Sequence, residues 1–539
     1  MLQSRPVDME PRWPKAAQDA VHALNNLIPE HLRLGPEFVA QYPAGSDVRA
    51  AAAASGLLSP LELEITDVAN DATSILERIR QRDWTAVQVT LAFAKRAAIA
   101  QQLLSCLCDF FLEDALRRAR ELDEYQDKTG RLVGPLHGLP ISIKGHMDVA
   151  GRKSNAGFSG DLTHEAPQKH GLMAQILYDA GAVFYVKTNL PQSIMHLETY
   201  SFWGQTLNPF NTSLTPGGSS GGCSALIAFG GSPLGIGSDI GGSLRSPAAA
   251  CGLWTLKPTA MRVPRGSARS PVPGSDSIQA TYGPLCRSLR DVDLWFSVVL
   301  GTQPWLREHN LVAMPWTVPE MKRPLRIGVM WNDEVVKPNP QIRRALELMV
   351  RALEKDQESF QVVDYKPFKH ADIVELAHGL YFPDGGVQVR ARAAVNGEPL
   401  LPLTEWVLTR PRVKSNTVSE LWQLHVERDG LRAAYLEHWN SQGVDLVLCP
   451  VGPTPAPVLG TSKYLGYTSV WNLLDYPALV FPTGLYCDRI DGPNGRSGGL
   501  EFARAPLCLQ LVGRRFADEM IVSGAKQLTK LLPVVPDAC

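Results

Sequence analysis

The sequence predicts an α/β fold, and three observations carry that expectation. Past Gly134, short apolar runs alternate with glycine turns and helical patterns. The apolar runs are short and uninterrupted, as strands buried on both faces require. Hydrophobic residues make up 45% of the 539-residue chain and charged residues 20%, enough apolar material for a large core. A chain of this length holds either two to four ordinary domains or one large enzyme domain.

The elements follow in order. From Asp67 to about Thr129 the pattern is helical, with Trp84, Val87, Leu91, Ala94 and Ala98 on one face and Asp83 as the expected cap. Strands are expected at Pro140–Ile143, Ala182–Val186, Leu234–Ile236, Gly252–Leu256 and Leu325–Met330, with helices at Gly171–Ala180 and Arg287–Leu300. Asn339 followed by Pro340 opens a helix whose apolar face is Ile342, Ala345, Leu346, Met349 and Leu353. Gln303–Pro324 and Asp488–Arg504 read as exposed loops.

Composition narrows the function classes. The net charge of −1 offers no basic surplus for nucleic acid or an anionic membrane. No run approaches a membrane span, and Met1–Pro14 lacks the apolar core of a secretory leader. Nine cysteines in mostly apolar settings, among them Cys106, Cys108, Cys251, Cys449 and Cys508, read as buried thiols of a reducing compartment. A cytoplasmic location is therefore expected. No spacing suggests a metal site, and no cofactor is implied.

Chemistry concentrates between Thr215 and Pro258, where two serines sit among glycine pairs: Gly217-Gly218-Ser219-Ser220-Gly221-Gly222 and Gly241-Gly242-Ser243. Glycine lets successive N–H groups converge, here those of Ile240, Gly241, Gly242 and Ser243, and a serine beside them is what acyl transfer needs. The serine also needs a base. Lys144 ends the apolar run Leu139–Ile143, where desolvation lowers an amine's pKa. These residues suggest a relay from Ser243 through Ser219 to Lys144. The plainer readings are two turn serines and a strand-end lysine.

The combined segments resemble the amidase-signature family, closest to its single-chain acetamidase-like branch. GGSSGG at 217–222, the block Gly237-Ser-Asp-Ile-Gly-Gly-Ser-Leu-Arg-Ser-Pro247 and Gly138-Leu-Pro-Ile-Ser-Ile-Lys144 carry the likeness, and Ser219 and Ser243 follow at intervals of 75 and 24 residues. The resemblance implies a mixed central sheet flanked by helices and a catalytic domain over 65–530. A helical extension over 1–64 would precede it and a tail over 531–539 would follow. It implies amide hydrolysis through an acyl-enzyme on Ser243, with Lys144 as base and Ser219, preceded by a cis peptide bond, as relay. Gly218 and Ser219 would meet a small-molecule amide, and a homodimer is possible in such a family. Asp239 and Arg245 are expected as a structural ion pair, and Cys223 and Cys251 as packing residues.

The family pattern has an acidic residue after the lysine, where this chain has Gly145 and then His146. That departure predicts a less firmly supported site, with His146 as a supporting residue or an alternative base. Three rival readings follow. Gly217–Gly221 also fits the nucleophile elbow of esterases, with Ser219 attacking and His378 or His425 assisting, although the Pro-interrupted segment before it is poor strand material. A catalytically silent amidase-fold binding protein and the glutaminase subunit of a tRNA-dependent amidotransferase are the others.

Overall fold

The computed structural model describes residues 15–321, 323–487 and 500–533. The readings placed on Met1–Pro14, on 488–499 of the second loop and on 534–539 of the tail lie outside the described residues.

The strands, in chain order, are β1 (Leu107–Phe110), β2 (Pro140–Lys144), β3 (Val183–Thr188), β4 (Tyr200–Ser201), β5 (Gly204–Gln205), β6 (Leu234–Asp239), β7 (Thr255–Lys257), β8 (Thr281–Cys286), β9 (Leu325–Val329), β10 (Phe360–Asp364), β11 (Leu446–Pro450), β12 (Ala478–Tyr486) and β13 (Pro506–Val512). One sheet runs β1-β3-β2-β6-β8 and a second β10-β9-β11-β13-β12-β7; β4 and β5 form a separate hairpin. Trp254 and Cys286 exchange both backbone hydrogen bonds, at 2.9 and 3.1 Å, so the edges carrying β7 and β8 join the sheets into one mixed surface. Parallel pairs (β2 with β3 and β6, β9 with β10 and β11) sit beside antiparallel ones (β6 with β8, β12 with β13). Every residue of β2, β3, β6, β8, β11 and β13 is buried, which explains their lack of polar alternation.

The expected strands and the helices at Leu172–Asp179, Leu289–Gly301 and Pro340–Lys355 are present, and the Asn339 side chain accepts from the Ile342 N–H as its cap. Other details differ. The helical stretch 67–129 is broken by β1, whose four residues are too few for a period to be read. The helix Ala86–Leu104 is capped by Thr85, not Asp83: Thr85 Oγ1 accepts from the Gln88 N–H and the Gln88 side chain returns a bond. Asp83 instead pairs with Arg78 at the surface. From Ala92 to Leu104 that helix is buried almost all round, so the expected one-sided stripe holds only over its first turns. The described residues 15–65 hold short helices joined by loops, with no strand, and Leu24, Ile28, Leu32 and Ile65 join the main core. The loop Gln303–Pro324 is anchored, because Trp316 stacks on Phe296 at 4.6 Å and donates to Asp293.

Because β2 and β6 are parallel neighbours, with Ile143 opposite Ile236, their carboxyl ends share one edge. That is where α/β sheets place their ligands. Lys144 closes β2 there and Asp239 closes β6.

Thr85→Ala should lower unfolding free energy by about 1 kcal/mol. Asp83→Ala, which removes only an exposed pair, should cost clearly less in side-by-side thermal melts.

Candidate active site

Lys144 is fully buried at the end of β2, and its Nζ donates to Ser219 Oγ at 2.6 Å and to Ser238 Oγ at 3.0 Å. Burial pushes its amine down to about 7, against a raising pull from the Asp239 carboxylate. Ser219 follows a cis Gly218–Ser219 peptide bond. Gly218 packs against the backbone of His196–Glu198 and is not among the described residues lining the neighbouring cavity, whereas Ser219 is. Ser220 ties this turn to the second serine: its N–H donates to Ser243 O at 3.2 Å.

The loop carrying Ser243 is organised from beneath by Asp239. One carboxylate oxygen accepts from the Gly242 N–H at 2.9 Å and the other from the Leu244 N–H at 3.0 Å. Arg245 grips both oxygens through Nε at 3.1 Å and Nη2 at 3.0 Å, a bidentate pair with neither side chain exposed. Burial opposes ionisation of Asp239, and Arg245 overcomes it, holding the carboxyl well below the usual carboxylate range. The expected structural ion pair is thus present.

The carbonyls of the loop are each held by a donor. Tyr381 donates its hydroxyl to Ile240 O at 2.9 Å, Thr468 Oγ1 to Gly241 O at 2.7 Å, and the Ser246 N–H to Gly242 O at 2.7 Å. Gly242 has φ 130°, and a Cβ there would meet Thr468 Oγ1 at 2.3 Å, so only glycine fits. One expectation is corrected: the Gly242 N–H is aimed at Asp239 and is not a free donor. The N–H groups of Ile240, Gly241 and Ser243 make no backbone bond among the described turns and loops.

Ser219, Ser238 and Ser243 open into one cavity of about 520 Å³. Ile194, Met195, Ile240 and Tyr282 line it, and segments 265–272 and 307–310 wall it. Ile194 has φ 61°, a conformation uncommon for a β-branched residue, held by Ile194 N–H donating to Pro191 O. Sequence reasoning missed Tyr381, Thr468 and Asn472, which have no local motif, and the cavity walls, which lie in loops.

His146 also lines the cavity. Burial, then the positive charge of Lys187 and of Lys144 when it is protonated, holds its ring neutral, and Nδ1 has no partner among the described residues. The elbow reading fails on geometry: Ser219 follows loop, not strand, and its partner is the lysine. Of the two candidate histidines, His425 bonds Ser277 and His378 sits edge-on to Trp406. Cys223 and Cys251 are buried packing residues. Among the described residues no cluster of His, Cys, Asp or Glu is arranged to hold a metal, and no helix is long and apolar enough to cross a membrane.

Comparison with known proteins gives this geometry its family. A sequence profile described as Amidase matches residues 88–522. The chain belongs to the amidase-signature family. It is 35% identical to an Emericella nidulans acetamidase over 97% of this chain and 99% of that one. It is 36% identical to Gibberella zeae amidase FG08078, over 96% and 99%. An amidase-named protein of Schizosaccharomyces pombe shares 44% over 88% and 92%. Among solved structures a fatty acid amide hydrolase superposes with a TM-score of 0.90 at 32% identity, covering 97% of this chain and 96% of that one. The enzyme is accordingly an amidase, a hydrolase of amides.

Gly145 does not loosen the site. A Cβ there would stand 2.6 Å from Leu190 Cδ2, 2.7 Å from Cys108 Sγ and 3.0 Å from Thr188 O. The Gly145 N–H donates to Thr188 O at 3.0 Å, and its carbonyl accepts from Asn155 N–H at 3.2 Å. The space a carboxylate would take is filled by apolar side chains, so the expectation of weak support is overturned. Gly145→Asp should therefore lower Tm and activity together, overpacking alone costing about 1–3 kcal/mol before the buried charge is counted. Thermal melts alongside turnover check this; a stable variant with raised activity would restore the loosened-site idea.

Proposed function

We propose that this amidase cleaves a small-molecule amide through an acyl-enzyme on Ser243, with Ser219 as relay and Lys144 as base. The observation that carries the reading is the 2.6 Å contact of a buried lysine with Ser219, in a cavity that Ser243 shares. With its pKa near 7, Lys144 is substantially neutral at neutral pH and accepts a proton from Ser219. Ser219 takes the proton of Ser243, whose Oγ attacks the amide carbon.

Charge develops on the carbonyl oxygen, and the N–H groups of Ile240, Gly241 and Ser243 are the donors proposed to meet it. The proton returns along the relay to the leaving nitrogen as the C–N bond breaks. Water then repeats the sequence and frees the acid. In this reading residues 65–530 form the catalytic unit, supported by a sheet that runs from β1 at one edge to β10 at the other, and 1–64 an extension. The buried cysteines accord with a cytoplasmic setting.

A silent scaffold would have no reason to keep Lys144 uncharged beside Ser219. Ser243→Ala should lower turnover by several orders of magnitude with the fold intact. A fluorophosphonate should label Ser243 in the wild type, whereas labelling at Ser219 would reinstate the elbow mechanism.

The base makes a separate prediction, whose sign follows from its charge. The protonated amine cannot accept, so kcat/KM should rise with pH and level off above an apparent pKa of about 7. Lys144→Ala should remove that limb with most of the activity. A mutant keeping near wild-type turnover and the same profile would transfer the role to another group.

A further inference from the structure

The cavity at Ser243 is several times larger than a two-carbon acyl group needs, and its charge is uneven. Ile194, Met195, Ile240 and Tyr282 make its inner part apolar. Arg265, Arg269 and Arg307 line it against a single carboxylate, Glu308. Glu308 is already occupied: its oxygens accept from the Arg265 N–H at 3.1 Å and the Gly266 N–H at 3.2 Å.

The three arginines are not equivalent. Arg269 also faces a neighbouring polar recess, where it and Arg392 stand against Asp148 and Glu165, so charge there balances. Arg265 meets Asp276 at 3.4 Å, but Asp276 is 69% exposed and the pair is weak. Arg307 is exposed and makes no ion pair or side-chain hydrogen bond among the described residues. The cavity therefore presents an apolar body and a guanidinium edge formed by Arg307, unpaired among the described residues, and Arg265, whose one ion pair is weak.

We propose that the preferred substrate is an amide with an apolar body and a terminal carboxylate, held by Arg307 and Arg265 while Ser243 attacks the amide. The proposal rests on the Ser243 reading for the chemistry and on the cavity alone for recognition. A guanidinium fork matches a carboxylate in geometry and charge. A neutral amide of equal size would fill the apolar part but leave these cations facing water.

Two matched pairs test it on the purified enzyme. N-benzoylglycine against N-propylbenzamide puts the carboxylate on the amine side, and suberamic acid against octanamide puts it on the acyl side. In at least one pair the acid should be favoured on the order of tenfold in kcat/KM. The preference should shrink with added salt. It should fall toward unity in Arg307→Gln and Arg265→Gln, with unchanged Tm.

The same four compounds are also scored by how well they protect Ser243 from a fluorophosphonate, which reads affinity even where turnover is slow. Equal or poorer handling of both acids, by turnover and by protection, overturns the proposal. So does a preference that survives both substitutions. A fluorophosphonate that labels elsewhere indicts the nucleophile assignment instead, and the turnover ratios then judge recognition on their own.

Discussion

The buried pair of Asp239 and Arg245 is the constraint on which this site depends. Neither side chain reaches solvent, so each charge is tolerable only because the other, with further hydrogen bonds, satisfies it. Arg245 gives two further donors to Thr468 O at 2.9 Å and Asn472 Oδ1 at 2.6 Å, and Asn472 Nδ2 donates back to Asp239 Oδ1 at 2.8 Å. The carboxylate in turn fixes the Gly242 and Leu244 N–H groups. The geometry of the Ser243 loop is thus set by electrostatics beneath it rather than by packing around it.

Lys144 answers to the opposite rule. It is buried with no carboxylate in hydrogen-bonding contact, and desolvation outweighs the more distant Asp239 to bring its pKa down to about 7. Two cationic side chains at one sheet edge are therefore driven to different states. Arg245 is held charged by a partner, and Lys144, with no such partner, loses its proton far more readily than a free lysine.

Much of this was legible in the chain. The buried strands announced themselves as short unbroken apolar runs, and Asn339-Pro340 as a helix start, because both are local signals. Ser219, Ser243 and Lys144 were legible through their glycine settings and strand-end position, and so was the Asp239–Arg245 pair, six residues apart. What was not legible is non-local or too short to carry a period. β1 offers four residues; Thr85 and Asp83 are both acceptable caps until the helix start is fixed. Tyr381, Thr468 and Asn472 lie more than a hundred residues from the loop they hold. The direction of the Gly242 N–H likewise depended on which way Asp239 turned.

The clamp by Asn472 and Thr468 has a consequence for how the enzyme comes into being. Every group proposed to do chemistry lies within the first 243 residues, yet the helix that clamps their loop, Gly466–Leu473, is among the last elements translated. Until it docks, Arg245 has lost two of its acceptors and the carbonyl of Gly241 is unheld. A chain synthesised only as far as Ser243 therefore still lacks the contacts that hold the Ser243 loop in its final shape.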